Sequence, residues 1–375
     1  MENKQELFEK APVWKAYFII SLPVVFSMLV TLIYNMVDTF FVSGTQNADL
    51  VAGVSQCTPL FTLMLALGDI FGLGGSSIIS RLFGQKDDAT AKNVSGFCFY
   101  AAIISGLIVT GLMFLFQTPI LKMLGATDAI VKYASQYYFF IAWGAPLIIL
   151  SLTPSNIIRT EGLALQSMIA SIAGSIVNIA LDPLFIFTFK MGAGGAALAT
   201  VMGYVLSDAL LIYYILKKST KLTVSVRHVK IKRQLATSVF LIGIPASLTN
   251  LMQSYNMTII NRYLIDYGSK AVAAMGIAIK VNMIIMMIMV GFAFGAQPLI
   301  GYSYGAKDNK RLQKIIRFDL LVEVGFSALA AVFIIIFAPQ LIGMFMNDAS
   351  VVSYGTGMLR WFTLTTPFCG IVLVL

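Results

Sequence analysis

Charge is what this chain has least of. Lys, Arg, Asp and Glu make up 11% of its 375 residues, against about a quarter in a soluble domain of this length. Histidine occurs once, at His228, in a basic loop where a solvated side chain is the expected state. The cysteines Cys57, Cys98 and Cys369 are odd in number and scattered through apolar stretches, which implies neither a disulfide framework nor a metal cluster. No P-loop, zinc-binding HExxH, catalytic dyad or Gly-x-Ser-x-Gly elbow occurs, so the chain is not expected to be an enzyme, nor an ATP-driven pump on its own. A cleavable signal peptide is not expected either. Residues 1–10 are charged, and the apolar stretch that follows is too long.

What is present is apolar surface in long uninterrupted windows. Hydrophobic residues reach 58% and the mean hydropathy is +0.85. Ala16 to Val37 is uncharged over 22 residues, Asn93 to Leu121 over 29, Tyr133 to Ile158 over 26 and Gln234 to Asn261 over 28. At ~1.5 Å rise per residue, each can cross a hydrocarbon core ~30 Å thick. Ten spans are read: 13–42, 50–80, 93–117, 131–153, 163–188, 192–216, 236–262, 270–303, 317–338 and 351–374. Period-two alternation is absent, which argues against a barrel. The fold class is therefore an all-α polytopic membrane protein.

Alternate loops differ in basic charge. Nineteen Lys and Arg, Arg159 among them, fall on the side of the N-terminus and five on the other, which predicts a cytoplasmic N-terminus. The net charge of +9 is then an orientation and lipid-surface signal and not a nucleic-acid footprint. The segment 217–235 carries seven of the basic residues if its flank at Lys217 is counted, and reads as a linker between residues 1–216 and 236–375.

Those two parts repeat one another at a shift of 221. Tyr34-Asn35-Met36 returns as Tyr255-Asn256-Met257, Gly74 and Gly84 as Gly295 and Gly305, Lys86-Asp87 as Lys307-Asp308, and Pro146 as Pro367. Pro23 meets Pro245 one residue out of register. Six spans precede the linker, so the second half enters with the orientation of the first. That makes a parallel repeat, with a substrate path between two lobes around a central cleft. The first lobe has six helices and the second four, so the chain is expected to be a fragment or to have two helices supplied some other way.

Acids inside spans mark the candidate site, since each costs ~2.5–3.5 kcal/mol on insertion scales. Helical rise places Asp38 ~9 Å, Asp182 ~12 Å and Thr200 ~13 Å from the outer ends of their helices. Asn178 lies one turn from Asp182 on the same face. Pro183 cannot donate to the carbonyl of Ile179, leaving one more oxygen free. Such a set suits Na⁺, and two adjacent carboxylates can take a proton instead. The plainer reading is polar glue between helices. Candidates for the substrate cleft are Tyr34, Asn35 and Asp69 in the first lobe, with Tyr255, Asn256 and Lys280 in the second. Asp208 is read as structural. Asp319 and Glu323 are expected to snorkel or to pair near Arg317.

Taken in order, Tyr34-Asn35-Met36-Val37-Asp38-Thr39, Gly74-Gly75-Ser76 through Gly84, Arg159-Thr160-Glu161-Gly162, Asn178 to Pro183, Gly195 to Thr200, and Gln297-Pro298 through Ala306 resemble the multidrug and toxic compound extrusion (MATE) family. The branch they resemble is the bacterial DNA-damage-inducible F-like one. The resemblance implies twelve helices in two six-helix lobes, and export of amphipathic, often cationic, small organic molecules as Na⁺ or H⁺ enters, with no other cofactor. It implies a first-lobe cation site at Asp38, Asn178, Asp182 and Thr200. Ile259 stands at the repeat mate of Asp38, which favours the first lobe. A monomer in contact with membrane lipid, and without nucleic acid, is expected. A lipid-linked oligosaccharide flippase of related architecture and a non-transporting scaffold are the alternatives.

Overall fold

The computed structural model describes residues 4–125, 127–128, 130–264, 269–345 and 348–374, with side chains for all of these except 4, 5, 250, 251, 253–258, 261, 262, 269, 270, 272 and 273. Among the described residues there is helix and no strand. Nine helical segments in this set are long and apolar enough to cross a bilayer. The span expected at 236–262 is a further helix, Arg233–Leu264.

A short helix α1 (Lys4–Glu9) leads into α2 (Val13–Ser43). The second span is broken into α3 (Ala48–Gln56) and α4 (Thr58–Gly84), where Pro59 opens a new helix at Cys57. Next come α5 (Asp88–Leu115), the short α6 (Gln117–Met123), α7 (Val131–Arg159), α8 (Ala164–Pro183) and α9 (Ala193–Lys218). The second half holds α10 (Arg233–Leu264), α11 (Ser269–Gly305), α12 (Asn309–Gly343), α13 (Ala349–Leu364) and α14 (Thr366–Val374).

Two helices begin earlier than the charge-free windows suggest, and the reason is capping. Asp87 accepts from the Thr90 amide at 3.0 Å and Asp308 from the Arg311 amide at 3.0 Å, so α5 and α12 start ahead of their apolar stretches. The preceding Lys86 and Lys307 both take positive φ, 62° and 56°. The same turn is built twice, 221 residues apart, and the repeat is physical.

The halves meet through an exchange of like parts. The α2 helix packs along α11 and the α10 helix along α4, so each half's first span lies on the other's second. Glycine makes this approach possible. A Cβ at Gly295 would run into Ser21, and one at its repeat mate Gly74 into Val239. Gly305 lies against the Arg81 carbonyl, and Gly84 against that of Tyr302. These contacts all lie in the half of the bundle that holds the N-terminus. Farther along, Ile33, Met36 and Phe40 on α2, and Leu248, Met252 and Ile259 on α10, are exposed. Among the described residues, the halves are joined at the N-terminal face.

Several loop charges are tied down. The helix α1 straps the joined face: Phe8 is buried and lies 5.2 Å from the Tyr302 ring, Tyr302 donates to Glu9 at 2.7 Å, and Arg311 donates to the Ala11 carbonyl at 2.9 Å. The linker is no loose tether either. Lys221 pairs with Asp88 at 2.9 Å, Tyr100 donates to the Val224 carbonyl at 2.9 Å, and Ser95 donates to that of Thr223 at 2.9 Å. His228 is only partly exposed, and its carbonyl lies 2.8 Å from where a Cβ on Gly96 would sit. Glu161 accepts from Ser219 and from the Thr220 amide, the latter at 2.9 Å. The start of the linker thereby belongs to the first half.

Arg159 departs most from its expected place among the loop cations. It is buried at the end of α7, donating to Ser167 at 3.1 Å, Ser155 at 3.2 Å and Asn156 at 3.3 Å, with Asp69 close enough to act on its charge. Removing one member of such a buried network costs about 3–5 kcal/mol. Arg159→Ala is accordingly expected to unfold at markedly lower temperature, as loss of the monodisperse peak in detergent after heating would show. An unchanged melting profile would mean that the cluster contributes nothing.

Candidate functional site

The polar quartet assembles where α2, α8 and α9 meet. On α8, Asp182 is fully buried and Asn178 is 2% exposed; Thr200 on α9 is 4% exposed. The Asn178 amide donates to the Thr200 hydroxyl at 3.3 Å, and Thr200 passes its own hydrogen to the Ala196 carbonyl at 3.0 Å. That leaves the Asn178 carbonyl oxygen without a donor and aimed inward. Asp38 arrives from α2, half-buried, its carboxyl within hydrogen-bonding reach of Asp182. No described donor serves either oxygen of Asp182, or Oδ1 of Asp38. Two carboxyls face one another with nothing positive between them, which repels unless a proton or cation is shared.

The local chain explains how α8 presents this face. Pro183 has no N–H for the Ile179 carbonyl. Instead of breaking, the helix widens into a π-helical turn over Leu184–Thr188, closed by the Phe189 amide on the Leu184 carbonyl at 2.9 Å. Such widened turns recur at functional sites.

Tyrosines complete the wall. Tyr34 on α2 lies near Thr200, Asp38 and Tyr204. Tyr137 on α7 lies near both carboxyls and near Tyr204 on α9. Of these, Tyr137 and Tyr204 were not legible in advance as site residues. The available signal was that Tyr204 follows Thr200 by four residues, on one helical face.

The remaining cleft candidates are dispersed. Asn35 is exposed one residue after Tyr34. Asp69 is 8% exposed inside the first half, by Arg159, away from the quartet's helices. Lys280 is exposed on α11. Tyr255 and Asn256 lie on α10, and their side chains are outside the described residues. Asp208 is buried on α9, with both oxygens lacking a donor among the described residues.

Two like-built helical halves, sealed at one face and enclosing unpaired acids, define a polytopic transporter made from a parallel repeat. Comparison with known proteins makes the class specific. The MatE family model matches residues 23–184 and 245–375, and the chain belongs to that family. It is 33% identical over 354 residues to the multidrug export protein MepA of Staphylococcus saprophyticus, covering 94% of this chain and 78% of that protein. With MepA of Staphylococcus aureus it shares 32% over 356 residues at the same coverage. Among solved structures it matches an outward-facing multidrug resistance MATE family transporter of the MOP superfamily, at a TM-score of 0.90 and 28% identity, over 100% of this chain and 84% of that one. A MOP superfamily transporter from Pyrococcus furiosus, described by the reverse polarity of its binding pocket, matches at 0.89 and 27%, over 100% and 85%.

Proposed function

We propose that this protein is a cation-coupled antiporter that exports amphipathic, often cationic, small organic molecules by alternating access, as a multi-pass protein of the bacterial inner membrane with a cytoplasmic N-terminus. The observation that carries the reading is the facing pair Asp38 and Asp182, in which both oxygens of Asp182 and Oδ1 of Asp38 have no donor among the described residues. Asp38 lies on α2, the same helix that packs on α11 across the seam. A cation entering from the open side, H⁺ or Na⁺ held by Asp38, Asn178, Asp182 and Thr200, draws α2 toward α8 and α9. The pull on α2 is felt at the seam, where residues 1–216 and 236–375 move against each other. Exchange then requires drug and cation to exclude one another, a coupling of typically 1–3 kcal/mol. The multidrug names of the MepA relatives support the substrate class.

The test is flux of a fluorescent lipophilic cation in proteoliposomes under an imposed Na⁺ gradient, and separately under an imposed pH gradient. Uphill movement under one of them is the expected result. Movement under neither gradient would remove the antiport reading.

A further inference from the structure

A second set of unpaired acids lies at the joined face, remote in sequence from the first. Asp319 and Glu323 were expected near the membrane surface beside Arg317. Instead they are 1% and 0% exposed, one turn apart on α12, while Arg317 points outward and is exposed. Tyr17 of α2 crosses the seam to donate to Asp319 Oδ1 at 2.7 Å. The other oxygen of Asp319 and both oxygens of Glu323 have no donor among the described residues. Ser21, one turn beyond Tyr17 and fully buried beside its hydroxyl, also leaves its Oγ unpartnered. Four acceptor-capable oxygens from two halves of the molecule thus lie on side chains gathered around Tyr17.

Among the described residues, no cation acts on the two acids. From α11 come Phe292, which stacks on Tyr17, and the Ala293 backbone beside Glu323; from α14 comes Gly370. The titratable groups that act on the pair are Tyr17 and the two acids themselves. Phe18 and Phe318 close the rest. Buried anions in such a place are costly unless neutralised. The fold itself does not demand them. At a shift of 221 the mates of Asp319 and Glu323 are Cys98 and Ala102 of α5, both fully buried and apolar.

We propose that Tyr17, Ser21, Asp319 and Glu323 form a second monovalent-cation site, for a proton or a sodium ion, placed across the seam so that its occupancy holds the N-terminal face shut. When the site is empty, the charged pair gains by admitting water, and the halves part at that face. This stands apart from the quartet on α2, α8 and α9, and it does not need that quartet to be the coupling site.

The test reads distance across the seam. Spin labels at Ala89→Cys and Lys310→Cys, both exposed near the joined face, are placed in a background lacking Cys57, Cys98 and Cys369. Electron–electron resonance then follows their separation in nanodiscs from low to high pH, with and without Na⁺. The expected result is one short distance at low pH and a longer population appearing as pH rises. If the site takes Na⁺, the salt restores the short distance at high pH; if it takes only protons, the salt does nothing. Glu323→Gln, a neutral isostere, should stay short throughout. Tyr17→Phe removes the one donor to the anion and should move the half-opening point up by about one pH unit, a tenfold change in proton concentration. Both effects should persist with Asp38→Asn and Asp182→Asn in place. A longer population in Glu323→Gln equal to that of the parent, or a half-opening point unmoved in Tyr17→Phe, would overturn the proposal. So would pH dependence that vanishes with Asp38 and Asp182.

Discussion

Replacing Asp182 with asparagine should cut gradient-driven efflux steeply while leaving the protein at least as stable as the parent. The two halves of that expectation have one cause. Asp182 is fully buried and no described donor serves it, so its charge is a burden on the fold that asparagine lifts at nearly the same volume. If the residue merely joined helices, an amide would serve as well and export would continue. If it shares a cation with Asp38, the shared site is gone. A coupling of 1–3 kcal/mol corresponds to a loss of about 5–150-fold in the drug gradient sustained. Drug accumulation in cells expressing Asp182→Asn, set beside a melting curve of the purified variant, separates the two. Preserved efflux with raised stability would leave Asp182 a structural residue and end the case for the quartet.

A side chain at Gly305 should be nearly as damaging, by a different route. Its position against the Arg81 carbonyl leaves no space for a Cβ. Overpacking of this kind costs about 1–3 kcal/mol, and here the cost falls on one conformation only, the one joined at the N-terminal face. Gly305→Val should shift the population away from that state by about 5–150-fold and stall transport. Gly84→Val, its repeat counterpart, should do the same. Gly111→Val on α5, where a Cβ meets nothing within 4 Å, is the control and should be almost silent. Distances between the labelled positions across the seam would report the shift. Equal behaviour of all three variants would show that the glycines do not set how closely the halves approach.

Much of the architecture could be read in advance because lipid imposes a simple rule: a span is a long stretch without charge. The repeat was legible through residues that hydropathy ignores, such as Lys86-Asp87 and Lys307-Asp308, which build one turn twice. Helical rise put Asp38, Asp182 and Thr200 at one level, and the family resemblance gathered them with Asn178 into one candidate site. What depth cannot give is the direction a side chain faces. Asp319 and Glu323 sit near a helix end beside Arg317, where snorkelling is the economical expectation, yet they turn inward to Tyr17. Arg159 counts as a loop cation by position, although it is enclosed by Ser155, Asn156 and Ser167. Neighbours from distant parts of the chain decide such cases, and periodicity carries no information about them.

The exchange of like parts along the seam also bears on ancestry. Each half presents, in glycine, the seat that the other half's leading helix occupies. An ancestral single half meeting its own copy would therefore have found both seats ready and both occupants in hand. Fusing two such genes would have needed only a connector, leaving either copy free to collect acids that the other lacks.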